Sequence, residues 1–161
     1  MKVVVLSDTH AEDLADLPER ILEDLEKADL IIHAGDYISK NLLEQLRELG
    51  DLKGVHGNMD CDEVKRELPD KDIFEVRGFK IGITHPSEGG SPVGLKSRAE
   101  SKLGEYLDLI IYGHSHKPVN KRAGNTIYFN PGSATGAFPA RYKTYGILRI
   151  EDEIEVEIVK I

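Results

Sequence analysis

Short, uninterrupted apolar segments are the feature of this sequence that most restricts its fold. Runs such as Val3–Leu6, Leu30–Ile32 and Leu109–Tyr112 show no alternation of apolar and polar residues. Strands of this kind are typical of a sheet that is buried on both faces. In the first half of the chain, the runs are separated by segments with helical periodicity, Leu14–Lys27 and Ser39–Leu49. The pattern therefore predicts a parallel βαβ arrangement covered by helices.

The second half of the chain changes to a pattern that is typical of antiparallel strands. Pairs of predicted strands are separated by short turn sequences, which are Arg77–Gly78, Gly124–Asn125 and Glu151–Glu153. A third helix is predicted over Leu95–Leu107. At 161 residues the chain has the length of one domain. We expect a single domain over residues 1–161 with an α/β fold, in which a pair of mixed sheets is covered by helices.

The composition excludes several classes of protein. The formal net charge is −8, and because an acidic field repels phosphate backbones, no long nucleic acid is expected as a partner. A single cysteine excludes a disulfide framework and any multi-cysteine zinc or iron–sulfur site. There is no signal-peptide pattern, and no window approaches the roughly 18 apolar residues of a membrane span. We therefore expect a soluble, cytoplasmic protein with no membrane partner, and we leave its oligomeric state open.

Polar side chains with metal-binding atoms follow five of the predicted strands. In open α/β sheets, ligands bind at the carboxyl ends of the strands, which converge on one crevice. Each placement by itself is ordinary, since an isolated Asp-x-His or Gly-Asp is more often a turn. Five such placements together are difficult to attribute to turns alone. The candidate ligands are Asp8, His10, Asp36, Asn58, His85, His114 and His116.

The chemistry of these side chains indicates which metals they suit. Carboxylate, imidazole and amide oxygen without sulfur fit Mn²⁺, Fe²⁺, Ni²⁺ or Zn²⁺. The candidates are more numerous than one ion needs. The sequence therefore favours a site for two metal ions.

The ordered set of Asp-x-His, Gly-Asp, Gly-Asn, a strand-end His and Gly-His-Ser-His resembles the calcineurin-like metallophosphoesterase superfamily. The length and the Gly57–Asp60 segment are similar to its small phosphodiesterase branch of archaea and bacteria. The resemblance covers essentially the whole chain. It implies a four-layer α/β/β/α sandwich and hydrolysis of small phosphodiesters by a hydroxide that bridges two divalent metals. Mn²⁺ is the first choice of metal, with Ni²⁺, Fe²⁺ or Zn²⁺ as alternatives.

The resemblance also implies a role for each candidate ligand. One metal is held by Asp8, His10 and His116, and the second by Asn58, His85 and His114. Asp36 bridges both, and Asp36, Asn58 and His85 are expected to be catalytic. A bridging carboxylate lets two cations lie about 3.5–4 Å apart despite their repulsion. The neutral amide of Asn58 supplies an oxygen without additional negative charge, which keeps the site attractive to a phosphodiester anion.

Two positions depart from the pattern of the wider superfamily. Met59 stands where many members carry a His that protonates the leaving oxygen, and a methionine cannot transfer a proton. We therefore expect a preference for substrates with good leaving groups, such as aryl phosphodiesters, or a proton taken from Asp60 or His56. Pro86 stands where many relatives have a glycine, and this leaves the neighbouring His85 in place.

Weaker candidates surround the ligand motifs. His56, Asp60, Asn130 and Ser133 are candidate substrate contacts, although the segment that contains Asn130 and Ser133 is most simply a turn. His33 lies within an apolar strand, which favours a structural role.

Two alternative functions are considered beside the phosphodiesterase. The retromer scaffold subunit resembles this branch but is regarded as catalytically impaired, so the chain could instead be a protein-interaction scaffold. The complete ligand set favours the enzyme over that alternative. A metallo-β-lactamase relative would need His-x-His-x-Asp-His, and Lys117 follows His116 instead. Substrate choice depends on the predicted loops Asn58–Asp72 and Pro86–Val93, and fold alone does not name the substrate.

Overall fold

Ten strands of the computed structural model, which describes residues 1–88, 90–104 and 106–161, form two sheets. The strands are β1 (Lys2–Leu6), β2 (Leu30–Ala34), β3 (Leu52–Val55), β4 (Lys71–Val76), β5 (Phe79–Thr84), β6 (Leu109–Tyr112), β7 (Val119–Ala123), β8 (Thr126–Asn130), β9 (Thr144–Ile150) and β10 (Ile154–Lys160). The α-helices are α1 (Glu19–Leu25), α2 (Lys40–Leu49), α3 (Asp62–Glu67) and α4 (Leu95–Leu103).

Each sheet combines three parallel strands with antiparallel neighbours. The first sheet has the order β10-β9-β1-β2-β3, in which β1, β2 and β3 are parallel. The second has the order β4-β5-β6-β8-β7, in which β5, β6 and β8 are parallel. The predicted hairpins β4–β5, β7–β8 and β9–β10 are all present. The expectation of two mixed sheets is therefore confirmed.

The apolar runs lack alternation because both faces of each sheet are covered. On β1, Val3 and Val5 pack in the cluster between the two sheets, whereas Val4 and Leu6 pack under α1 and α2. A third cluster joins the other face of the second sheet to α4. Burying one such aliphatic side chain stabilises the fold by about 1.5–3 kcal/mol. The layers follow the order α/β/β/α, as the resemblance implies.

The helices differ from the sequence predictions at specific residues. The predicted helix Leu14–Lys27 is divided into a short 3₁₀ turn, Leu14–Asp16, and α1. Leu17 is extended, with φ −78° and ψ 146°, because a residue that precedes a proline is disfavoured in the helical region. The helix predicted to reach Leu107 ends at Leu103, where Gly104 adopts a left-handed conformation.

Helix α3 lies within the predicted loop Asn58–Asp72, and the sequence analysis missed it. It has six residues, of which only Val64 is buried, so it lacks a periodic apolar stripe. Two acidic residues in its first turn and two basic residues in its last turn complement the helix dipole. Within the described ranges, no helix has the length and apolar character needed to cross a membrane.

Candidate metal centre

The loops that follow five parallel strands bring the predicted ligands together at one edge of the sandwich. Strands β1, β2, β3, β5 and β6 are each followed closely by at least one of them. Their side chains form one connected cluster, which consists of Asp8, His10, Asp36, Asn58, His85, His114 and His116.

Four of these side chains form the tightest part of the cluster. Asp8, His10, Asp36 and His116 each offer one ligand atom, and these atoms all lie within 4.8 Å of one another. The Nε2 atom of His116 is 3.3 Å from Nε2 of His10 and 3.3 Å from Oδ1 of Asp8. Two imidazoles and two carboxylates in this arrangement offer a donor set that suits a borderline divalent cation. The group combines the three ligands predicted for the first metal with the predicted bridge.

A second group contacts Asp36 through His85. The Oδ2 atom of Asp36 is 3.3 Å from Nε2 of His85 and 3.6 Å from Nε2 of His10. The rings of His85 and His114 meet edge to face with 5.4 Å between their centroids. The Nδ1 atom of His114 is 3.2 Å from Oδ1 of Asn58. One carboxylate oxygen of Asp36 thus lies between the two groups.

Backbone carbonyls orient two of the histidine rings. The Nδ1 atom of His85 lies 2.7 Å from the carbonyl oxygen of Ala34, and Nδ1 of His116 lies 2.9 Å from that of Ala137. A carbonyl only accepts hydrogen bonds, so each Nδ1 carries the proton and Nε2 is directed to the cluster. The buried Nε2 of His85 has no hydrogen-bond partner among the described residues. Because a buried polar atom without a partner is unfavourable, this nitrogen fits a site that is completed by a cation.

The electrostatics of the metal-free cluster agree with this arrangement. Burial lowers the pKa of His85, but the Asp36 and Asp8 carboxylates outweigh this effect and raise the pKa above its ordinary value of 6.5, to about 9. Burial raises the pKa of Asp36, but His85 and the amide of Met59 lower it to about 2. Burial raises the pKa of Asp8, and the nearby histidines offset only part of that rise. A protonated His85 therefore balances carboxylate charge at the position where a cation would do the same.

Five of the seven side chains are on residues with left-handed backbone conformations. The φ angles are 49° at Asp8, 45° at His10, 61° at Asp36, 84° at His114 and 55° at His116. This region is uncommon for residues other than glycine, although Asp and His tolerate it better than most. Such conformations cost free energy and persist only where the surrounding contacts hold them.

Close packing around the cluster requires glycine at several positions, including Gly57 and Gly113. A Cβ atom added to Gly57 would lie 2.1 Å from Oδ1 of Asp36. A Cβ atom added to Gly113 would lie 2.1 Å from Oγ of Ser7 and 2.7 Å from Nδ1 of His85. The glycines beside the ligand motifs therefore allow the backbone to approach the ligands closely.

Asp60 joins the two loops that carry Asp36 and Asn58. Its buried carboxylate accepts hydrogen bonds from the amides of Gly57 at 2.7 Å, Ile38 at 2.7 Å and Asp36 at 3.1 Å. Asp60 is predicted above as a substrate contact or proton source. Because both oxygens are used within the protein, these contacts favour a positioning role, and the predicted chemical role stays a prediction.

Asn130 and Ser133 are buried beneath the cluster. Ser133 Oγ donates to the carbonyl of Asp8 at 2.7 Å, and the side-chain amide of Asn130 is 3.3 Å from both the carbonyl of Gly113 and Oγ of Ser115. Both residues therefore support loops that carry ligands. They were predicted as candidate substrate contacts, and the structure surrounds them with protein partners.

The two remaining histidines lie next to the cluster. His33 is buried, stacks on Tyr37 with 3.6 Å between ring centroids, and lies 3.1 Å from Oγ1 of Thr9, which agrees with the structural role predicted for it. Burial lowers its pKa to about 3, so the ring is neutral. His56 is half-buried, with Nδ1 3.3 Å from the carbonyl oxygen of Gly57, and its role as a substrate contact stays a prediction.

Sequence reasoning missed a cleft of about 630 Å³ that is lined in part by His116. Its walls come from three separate parts of the chain, around Pro92, from Ser115 to Pro118 and from Pro139 to Tyr142. The carbonyl of Ala137, which orients His116, was missed for a similar reason. Local sequence patterns predict neither a contact to a backbone carbonyl nor a cleft wall built from distant parts of the chain.

Comparisons with known proteins agree with this architecture. A family model described as the calcineurin-like phosphoesterase superfamily domain matches residues 1–153. A Methanocaldococcus jannaschii protein named a probable metallophosphoesterase is 36% identical over 165 residues, which cover 100% of this chain and 82% of that protein. A protein of the same organism named a phosphodiesterase is 29% identical, and the match covers 99% of both chains.

Solved structures share the fold. The crystal structure of a Vps29 single mutant from Entamoeba histolytica has a TM-score of 0.78 and 24% identity, covering 100% of this chain and 99% of that one. Because this identity is low, the likeness shows the fold and carries no further conclusion. With the family match over residues 1–153 and the metallophosphoesterase relative, however, the assignment is direct: the chain belongs to the calcineurin-like phosphoesterase superfamily.

Proposed function

We propose that this phosphoesterase is a two-metal-dependent phosphodiesterase that hydrolyses small phosphodiesters, with Mn²⁺ as its first-choice metal. The observation that supports this most directly is the position of Asp36, with one carboxylate oxygen 3.6 Å from His10 Nε2 and 3.3 Å from His85 Nε2. The Nε2 atom of His85 also supports it, because that atom is buried beside the same oxygen and forms no hydrogen bond with the described residues. The family and its named relatives support the coarser assignment to phosphoesterase hydrolases.

Hydrogen bonds from neighbouring groups orient the two carboxylates that would hold the metals. Oδ1 of Asp36 accepts the amide of Met59 at 2.8 Å, which leaves Oδ2 directed to the two histidines. Asp8 is fixed by the amide of His114, 3.2 Å from Oδ1 and 3.1 Å from Oδ2, and by Oγ of Ser7 at 2.7 Å. These residues would hold two divalent cations, which would activate water and stabilise charge on the phosphoryl oxygens.

The charge of the site suits a phosphodiester anion. Asp8 and Asp36 are the two carboxylates among the seven predicted ligands, and the other five ligands are neutral when they bind metal. Two dications exceed the charge of two carboxylates, so the loaded site is cationic. Asn58 is exposed and His114 half-buried, so substrate can approach from their side of the cluster.

Two side chains next to the cluster, Met59 and Asp60, are poorly suited to protonating the leaving group. Hydrolysis forms a bond between water oxygen and phosphorus, breaks the bond to one ester oxygen, and leaves that oxygen to take a proton. Met59 is 58% exposed beside the cluster but has no proton to give. Asp60 is buried and already accepts three backbone amides. We therefore propose that aryl esters, whose leaving oxygen needs no protonation, are cleaved faster than alkyl esters.

The test is a phosphoester panel on protein that has been freed of metal and reloaded. A mononucleotide, a cyclic nucleotide, a dinucleotide and an aryl diester are each assayed with Mn²⁺, Ni²⁺, Mg²⁺ and Zn²⁺. The proposal expects the aryl diester with Mn²⁺ to be the best pair and Asp36→Asn to abolish its hydrolysis. Asp24→Asn is the matched control, because Asp24 is also buried but contacts Lys2 and Tyr145 instead of the cluster.

Calorimetric titration with Mn²⁺ separates the enzyme from the scaffold alternative. Two binding events that are lost in Asp36→Asn would support the proposal. A folded protein that binds no Mn²⁺ and hydrolyses no ester would overturn it and favour an interaction scaffold on the same fold.

A further inference from the structure

Two clefts beside the metal centre are positively charged in an otherwise acidic protein. The first is the cleft of about 630 Å³ next to His116, lined by Lys117 and Arg141. The second, of about 500 Å³, is lined by Lys96, Lys117 and Lys121. They share Lys117 and form one continuous surface. The chain contains 29 acidic and 21 basic residues, yet no Asp or Glu is among the described residues that line either cleft.

Three of these cations have no acidic partner among the residues that the structure describes. Lys96 is 3.3 Å from the carboxylate of Glu100, but in the described part of the chain Lys117, Lys121 and Arg141 form no ion pair. Unpaired cations that face a cleft on an acidic protein attract anionic ligands selectively to that cleft. An arginine also binds a phosphate group through two parallel hydrogen bonds.

The wall beside these cations is apolar and aromatic. Pro118, Pro139 and Ala140 give the first cleft an apolar surface, and Tyr142 adds an aromatic ring that is 53% exposed. The ammonium group of Lys160 lies 3.2 Å from the centroid of that ring, a cation–π contact that covers one of its faces. The other face of an exposed aromatic ring is a surface on which a flat aromatic group can stack.

The cleft is physically connected to the metal centre. Arg141 and Tyr142 belong to the loop of residues 134–143, which is closed at its base by the amide of Thr144 and the carbonyl of Ser133 at 2.8 Å. The carbonyl of Ala137 in this loop orients His116, whose ring also lines the cleft. Because His116 belongs to both the cluster and the cleft, a diester bound at the cluster can place one of its two organic groups beside this wall.

We propose that this cleft selects diesters in which one half is a nucleoside that carries a second phosphate. Tyr142 stacks on the base, and Arg141 together with Lys117 binds the additional phosphate. This proposal rests on the proposed phosphodiesterase function, which it refines from small diesters to phosphorylated nucleotide diesters.

Two chromogenic substrates that differ only in the second phosphate test the selection. Thymidine 5′-(p-nitrophenyl phosphate) and its 3′-phosphorylated counterpart release the same product from the same bond. Because only the 3′-phosphorylated substrate can accept charge-assisted hydrogen bonds from Arg141 through its second phosphate, we expect its kcat/KM to be about tenfold or more higher. The ratio of the two kcat/KM values should fall close to one in Arg141→Ala, mainly through KM.

The matched control is Arg77→Ala. Arg77 is exposed at the turn between β4 and β5, at the opposite end of β5 from His85, and lines neither cleft. It should retain both the activity and the ratio of the wild-type protein. A wild-type ratio near one, or an equal ratio in Arg141→Ala and the wild type, would overturn the proposal.

Binding to metal-free protein separates this inference from the proposed function. Thymidine 3′,5′-bisphosphate should bind about tenfold or more tightly than thymidine 5′-monophosphate, and Arg141→Ala should remove that difference. Tyr142→Ala should weaken both ligands, whereas Tyr142→Phe should bind both as the wild type does. If no diester is hydrolysed but these differences hold, the phosphodiesterase proposal fails and the ligand class stands. Equal binding of the two nucleotides would show that the cleft does not recognise the second phosphate and would overturn the proposed ligand class.

Discussion

The backbone amide of Asp36 donates a hydrogen bond to the buried carboxylate of Asp60 at 3.1 Å. This contact joins the loop after β2 to the loop after β3, and the same carboxylate also accepts the amides of Gly57 and Ile38. The central carboxylate of the candidate metal centre is therefore positioned by a second carboxylate, which accepts hydrogen bonds from three backbone amides.

Replacing Asp60 by alanine should leave these three amides without their acceptor. Hydrogen bonds to charged groups contribute about 1.5–3 kcal/mol each and are not additive, so we expect a loss of at least about 2 kcal/mol in unfolding free energy. Mn²⁺ affinity should fall as well, because Asp36 loses its support. Urea denaturation and calorimetric titration measure the two effects.

The kinetics of Asp60→Ala distinguish positioning from proton donation. A positioning residue slows aryl and alkyl diesters by similar factors, whereas a proton donor slows alkyl esters much more. Selective loss of alkyl ester hydrolysis, with Mn²⁺ affinity intact, would show that Asp60 supplies the proton after all.

Replacing Gly57 by alanine should disable the centre without a change in any ligand. The added Cβ would lie 2.1 Å from Oδ1 of Asp36, so the carboxylate must move. Because a displacement of about 1 Å at a catalytic group costs on the order of a hundredfold in rate, we expect a loss of that size in kcat. Gly50→Ala is the control, since Gly50 is extended and a Cβ there meets nothing within 4 Å. Equal activity of the two variants would contradict the close packing.

Metal binding should stabilise the fold. Since the proposed metals bind the native state and not the unfolded chain, a free concentration of 100 times Kd adds about 2.7 kcal/mol to the unfolding free energy. We expect Mn²⁺ to raise Tm in the wild-type protein and in Asp24→Asn, and a chelator to reverse the rise. Asp36→Asn should show no Mn²⁺-dependent shift; a shift of wild-type size in that variant would argue against a bridge.

A buried pair remote from the centre predicts how stability depends on pH. Tyr145 donates to Asp24 at 2.5 Å, and Lys2 donates to the same carboxylate at 2.8 Å. Burial alone would raise the pKa of Asp24, but Lys2 and Tyr145 lower it below its ordinary value. Burial and Asp24 raise the pKa of Tyr145 to about 12.

The two shifts act at opposite ends of the pH range. The lowered pKa of Asp24 adds stability that is present above its ordinary value of 3.8 and is lost as the pH falls through the folded value. The raised pKa of Tyr145 adds stability that is present below 10 and is lost as the pH rises toward about 12. Urea denaturation in chelator should show that Asp24→Asn reduces the acid dependence and Tyr145→Phe the alkaline dependence. Unchanged pH profiles in both variants would refute the assignment.

The strands could be predicted because their composition follows directly from burial. Val3 and Val5 face the other sheet while Val4 and Leu6 face the helices, so the run has no polar position. The convergence of the candidate ligands could be predicted for a related reason, since parallel strands such as β1 and β2 end at the same edge.

The remaining features depend on contacts that leave little trace in the chain. The break in the first helix depends on the conformation of one residue, Leu17, and helix α3 buries only Val64. The orientation of His116 depends on a carbonyl 21 residues away along the chain. The support given by Asp60 could not be separated from a chemical role, because a carboxylate beside a ligand motif suits both.

The left-handed backbone conformations in the cluster affect how its sequence motifs can be interpreted, because they restrict the residue types at these positions. At Asp8, His10, Asp36, His114 and His116 the fold itself favours the few residue types that tolerate positive φ, whether or not metal binds. A descendant that abandoned catalysis would still be restricted at these positions by folding alone. Asn58 and His85 lie outside that conformation, but His85 is still restricted by its buried packing, whereas Asn58 is exposed. Divergence at Asn58 should therefore be the earliest sequence mark of a relative that has exchanged hydrolysis for another use of the same sandwich.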